Sequence, residues 1–81
     1  MISDTDKRYL KTGFKEVLKL IEKNEAEKVF IAEDVSQNMK DKLLAEVSKT
    51  SCEVIYAESM KTLGEISGID VGASCAAIIK H

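Results

Sequence analysis

Six basic side chains lie between Lys7 and Lys23 (Lys7, Arg8, Lys11, Lys15, Lys19 and Lys23) against two acidic ones, Glu16 and Glu22, giving this stretch a local charge of +4. Clustered lysine and arginine are what neutralise the phosphates of a nucleic acid. The lysines at 11, 15, 19 and 23 recur every four positions, and in a helix that spacing aligns them in one stripe. A solvated helix face shows the same stripe, so the spacing alone does not decide. The run Thr12-Gly13-Phe14-Lys15-Glu16 adds a second signal. Glycine in a first turn opens backbone N–H groups at the positive end of the helix dipole, where a phosphate can approach closely. Glu16 repels phosphate, and suits such a surface as an acceptor for the amino groups of guanine or cytosine. Its structural alternative is a favourable acid in a helix N-terminal turn.

A second unusual segment is Gly68-Ile69-Asp70-Val71-Gly72-Ala73, apolar where loops are normally polar. Ile69 and Val71 either tuck into the core or offer an apolar platform to an unstacked nucleotide, the usual target of sequence-specific RNA recognition. Glu33 and Asp34 follow an apolar run at the end of an expected strand, where open α/β sheets place ligands. They are a solvated acidic pair or, in the alternative, ligands for Mg²⁺.

The remaining chemistry is thin. The only histidine, His81, is the last residue, which leaves no base for a serine or cysteine nucleophile. There is no Walker loop and no Gly-x-Gly-x-x-Gly run, hence no phosphate cradle of the nucleotide-binding kind. Cys52 and Cys75 are too few for a disulfide framework and, with one terminal histidine, too few for a structural zinc site. Both are read as reduced, Cys75 as a small core hydrophobe and Cys52 as an ordinary thiol beside a strand. No cofactor is implied.

The whole chain has 81 residues, 44% of them hydrophobic, a net charge of −2 and a pI near 5.4. A chain of this length buries roughly 60% of its unfolded surface and supports one core, so a multi-domain enzyme is excluded. No apolar run approaches the ~20 residues of a membrane span, and Met1 to Asp6 show no export signal. The expectation is a single cytoplasmic domain without membrane contact. The acidic pI argues against nucleic acid until the charge is divided along the chain. Residues 1 to 23 carry six basic and four acidic groups, whereas residues 24 to 81 carry six and ten.

These residues need elements to hold them. Phe14, Val17, Leu18 and Ile21 follow the i, i+3, i+4, i+7 pattern of a helix from about residue 13 to 23, with Thr12 as cap and Asn24 as terminator. Val29 to Ala32 read as a strand buried on both faces. Ser36 caps a second helix bearing Met39, Leu43, Leu44 and Val47 and ending near Lys49-Thr50, after which Val54 to Ala57 make a strand. Ser59 caps a short helix bearing Met60, Leu63 and Ile66 and closed by Gly68, and Cys75 to Ile79 make the last strand. A short strand around Tyr9 to Lys11 joins the edge, unless residues 4 to 10 begin helical. Alternating strands and helices specify an α/β fold with helices on both faces of a largely parallel sheet.

The segments Gly13 to Lys19, Val29 to Asp34 and Leu63 to Ser74 resemble the kink-turn RNA-binding ribosomal protein superfamily, most closely its small bacterial YbxF-like members. The similarity runs from about Arg8 to Ile79 in the right order. It implies a three-layer α/β/α sandwich with a small, mostly parallel or mixed central sheet of about four strands. It also implies non-catalytic binding of a sharply bent RNA with tandem sheared G·A pairs and an extruded base, in a ribosomal or regulatory setting, by a monomer. On that pattern Gly13, Lys15, Glu16 and Lys19 meet the G·A pairs and adjoining phosphates. Ile69, Asp70, Val71, Gly72 and Ala73 cover the extruded base, and Lys61 touches RNA backbone. Lys15 stands where archaeal and eukaryotic members commonly have asparagine. The alternative is a protein interaction module on the same fold, its acidic surface turned to a basic partner.

Overall fold

Val29 to Ala32, four consecutive buried residues, sit in the middle of the sheet, where β-branched and aromatic side chains are covered from both sides. A computed structural model describes residues 8–67 and 73–80, with only the backbone at 66 and 67. In chain order the elements are β1 (Leu10–Thr12), α1 (Phe14–Glu22), β2 (Ala26–Ala32), α2 (Gln37–Val47), β3 (Glu53–Ala57), α3 (Met60–Ser67) and β4 (Cys75–Ile79). The four strands lie in the order β1-β4-β2-β3. The proposed helical start over residues 4 to 10 falls mostly outside the described residues, as do Gly68 and the side chain of Ile66.

The sheet is mixed rather than largely parallel. β2 and β3 run parallel, while β4 is antiparallel to both β1 and β2. The reason is local to the last crossover. The Ala73 N–H donates to the Met60 carbonyl at 3.0 Å, so the chain leaves for α3 and returns for β4 at the same end of the sheet. β4 can then only run back down it.

Successive strand residues point to opposite faces, yet Val29 to Ala32 and Cys75 to Ile78 are all buried. Both faces of the sheet are therefore covered. α1 packs on β4, β2, β1 and α2, and α3 packs on β2, β4 and β3. Phe30 is paired with Ala76 and Val29 with Ala77, so the small residues of β4 make room beside the larger ones of β2. α1 contributes Val17, Leu20 and Ile21 to the core, with Phe14 and Leu18 against its margin. α2 contributes Leu43, flanked by the half-buried Met39, Leu44 and Val47.

The helix ends follow their chemistry, with one correction. Thr12 does not cap α1; it ends β1, opposite Ala76. Gly13 occupies the N-cap with φ +99° and ψ 139° and no side-chain cap. At the other end Asn24 adopts φ +57°. Its N–H donates to the Ile21 carbonyl and that of Glu25 to the Leu20 carbonyl, both at 2.9 Å. This crossed pair is the Schellman closure that a left-handed residue permits. Ser36 Oγ accepts the Met39 N–H at 3.3 Å, and Ser59 Oγ accepts that of Thr62 at 3.1 Å, so both serines cap as their positions predict. Cys52 and Cys75 are free thiols, half-buried and buried respectively.

Candidate nucleic-acid interface

The carboxyl ends of β1, β2 and β3 and the start of β4 meet at one end of the sheet, joined by hydrogen bonds between segments distant in sequence. The Gly13 N–H donates to the Cys75 carbonyl at 3.3 Å, and the Ala32 N–H to the Ser74 carbonyl at 3.0 Å. The Glu33 N–H donates to the Ala57 carbonyl at 2.9 Å. Asp34 Oδ1 accepts the Met60 N–H at 2.8 Å, and the Met60 carbonyl accepts the Ala73 N–H. Every described turn at this end is thereby fixed to its neighbour.

Gly13 stands at this edge because its backbone conformation is one that only glycine adopts without strain. A methyl group placed on its α-carbon would meet nothing within 4 Å, so the space above it is open to an incoming group. Lys15 and Glu16 follow in the first turn of α1 and Lys19 one turn later, all three exposed. Lys15 and Lys19 are four residues apart and share a face. None of the three makes a side-chain hydrogen bond or ion pair among the described residues. These charges are available to a ligand.

The four-residue lysine repeat does not make a single helical stripe. Lys11 lies in β1 and Lys23 is the C-cap of α1, leaving Lys15 and Lys19 as its helical members. Lys61, the second residue of α3, is exposed at the same end of the sheet. Ala73 is 5% exposed, so its methyl group belongs to the core and its backbone N–H anchors the segment before β4. Ile69, Asp70, Val71 and Gly72 lie outside the described residues.

Asp34 has a structural task that its position after a strand does not reveal. Its carboxylate takes a backbone donor of the first turn of α3, a stabilising place for an anion. Glu33 is exposed beside it, and no cluster of three or more metal-ligating side chains occurs among the described residues. Met60, expected on the apolar face of α3, is instead 37% exposed. It is the first residue of the helix.

Cys75 lies beneath this edge. Burial raises its thiol pKa above the ordinary 9.0, and the Ser74 hydroxyl, 3.8 Å away, opposes that only in part. It is a core residue and not a nucleophile.

Comparison with known proteins agrees with this architecture. An RNA-binding protein of Halalkalibacterium halodurans is 41% identical over 68 residues, which span 84% of this chain and 83% of that protein. An RNA-binding protein of Staphylococcus aureus is 32% identical over 75 residues, 93% of this chain and 89% of that one. Among solved structures, a Bacillus halodurans protein of unknown function superposes with a TM-score of 0.81 at 22% identity, covering 90% of this chain and 73% of that one. A Giardia lamblia 15.5kD RNA binding protein gives 0.78 at 26% identity, covering 91% and 62%. The profile of one family spans residues 3–81, and the chain belongs to it: the ribosomal protein L7Ae/L30e/S12e/Gadd45 family.

Proposed function

We propose that this protein binds structured RNA of the kink-turn kind, without catalysis, through the sheet end that gathers Gly13, Lys15, Glu16, Lys19 and Lys61. The observation that carries the reading is the meeting of the α1 and α3 starts at one hydrogen-bonded edge, with three unpaired charges on α1. Lys15, Lys19 and Lys61 supply phosphate contacts, which position the RNA. Glu16 reads the amino groups of the sheared G·A pairs, a task that a carboxylate can perform and a lysine cannot. The open backbone at Gly13 lets the sugar-phosphate chain come close. The small bacterial relatives are named RNA-binding proteins over nearly their whole length, which supports the same class of ligand here. A ribosomal or regulatory RNA in translation is the setting that the family membership favours.

The test is a titration with a kink-turn RNA and with the same RNA whose tandem G·A pairs are replaced by Watson–Crick pairs. Tighter binding to the first is expected. Equal binding to both at low salt, or none, refutes the assignment. Acidic residues dominate beyond residue 23, so the titration is run at more than one salt concentration to separate local contacts from overall repulsion.

A further inference from the structure

We infer that the outer edge of β3 takes a second ligand, an extended protein segment of alternating basic and apolar residues that joins the sheet as a fifth strand. This is separate from RNA binding and does not rest on it. β3 ends the sheet and pairs only with β2 among the described residues. The Ala57 carbonyl accepts the Glu33 N–H and so faces β2. In a strand the N–H and C=O of one residue point to the same side, and those of the next residue to the other. Glu53, Ile55 and Ala57 therefore bond to β2. The N–H and C=O groups of Val54 and Tyr56 point outward, with no backbone partner among the described residues.

An open edge is a template for another chain, and proteins usually blunt it with lysine, proline, a bulge or brevity. The opposite edge is blunted in this way, since β1 has three residues and Lys11 at its centre. By contrast the five residues of β3, Glu53–Ala57, include no lysine or proline, and their register with β2 runs without a shift. Tyr56 is 48% exposed and shares a face with Val54. Charge selects the occupant. Between Lys49, which is paired with Glu46, and Lys61 the chain carries Glu53 and Glu58 and no basic residue. Glu33, whose N–H meets the Ala57 carbonyl, is exposed as well. Lys28, opposite Glu53 in β2, forms no ion pair with it. Such an edge repels the phosphates of RNA, and a second copy would bring the same glutamates and no cation. A segment that alternates sets its apolar side chains beside Val54 and Tyr56 and its basic ones beside Glu53, while its backbone pairs with the outward groups.

A short blocked peptide of alternating lysine and valine is the probe, titrated at low salt into the full chain and compared with its glutamate counterpart. Amide hydrogen exchange reads the site. The lysine peptide is expected to protect the amides of Val54 and Tyr56, while those of Ile55 and Ala57, already bonded to β2, change little. Tyr56→Pro removes an outward N–H and spares the β2 ladder, so peptide affinity should fall about tenfold. Glu58→Lys, beyond the end of the strand, should lower it roughly two- to fivefold, the range of an exposed ion pair, and carries the comparison if Tyr56→Pro does not fold. No protection, protection spread evenly along the strand, an equal effect of the glutamate peptide, or folded variants that bind like wild type overturn the assignment. Protection of the same two amides by a kink-turn RNA, or by raising the protein concentration alone, overturns it in favour of RNA or of a second copy.

Discussion

The amide of Gly13 donates to the carbonyl of Cys75 across 3.3 Å, so the turn that opens α1 is fastened to the first residue of β4. The glycine is required there for its backbone and not for space, since φ is +99° and an added Cβ would meet nothing within 4 Å beyond the residue and its chain neighbours. Gly13→Ala is therefore expected to destabilise the fold by about 1–3 kcal/mol, the cost of holding a side-chain-bearing residue in that region. Urea denaturation should show a lower midpoint with an unchanged slope. An unaltered midpoint would mean that the turn relaxes freely and that the edge is not preorganised.

Ser36 offers a cleaner stability test, because α2 carries none of the proposed RNA contacts. Its Oγ satisfies the Met39 N–H, one of the donors that a helix start leaves unpaired. Ser36→Ala should cost about 0.5–1 kcal/mol and leave RNA affinity unchanged under conditions where both proteins are folded. Loss of affinity in the folded variant would show that the β2–α2 turn belongs to the interface.

Cys75 gives stability an alkaline limb. Its pKa is raised in the folded state by burial, so the unfolded chain releases the thiol proton at lower pH than the folded one. The folded state thus binds more protons, and stability falls with rising pH in that window. The contribution is complete below the ordinary thiol value of 9.0 and is lost as pH climbs through the raised one. Cys75→Ala should remove this component of the alkaline decline in unfolding free energy, measured from pH 8 to 10.5. An identical pH dependence in the two proteins would contradict the burial of the thiol.

Local patterns foretold most of the elements and little of the edge that they build. The run from Cys75 to Ile79 matches β4 residue for residue, because a short apolar segment bounded by a turn has few other uses. Asn24 ends α1 as expected, since its left-handed conformation is a property of the residue itself. The direction of β4 was not legible: it depends on the bond between Ala73 and Met60, and no periodicity encodes a contact between loops. The task of Asp34 was hidden for the same reason, its partner lying 26 positions away. Helical spacing sets Met60 on one face with Leu63 but does not say where the sheet beneath that face stops, so its exposure of 37% is not legible from it. Lys15, Glu16 and Lys19 needed no such information, being neighbours on one helix.

Those three residues divide the proposed recognition between charge and base reading, and the division has separable signatures. A lysine on a phosphate releases counterions, so Lys15→Ala and Lys19→Ala should each lower the slope of log affinity against log salt by roughly 0.7–0.9. Lys19→Ala should weaken binding to the kink-turn and to its Watson–Crick control alike, since phosphate contacts carry no sequence information. Glu16→Ala should behave in the opposite sense. Removing a carboxylate relieves repulsion, so the control RNA should bind at least as well as before, while preference for the kink-turn falls about tenfold with the loss of base contacts. The slope should not drop. If Glu16→Ala instead leaves the preference intact and merely raises both affinities, Glu16 is a helix-turn acid stabilising α1, and the reading of the G·A pairs must come from another residue at the edge.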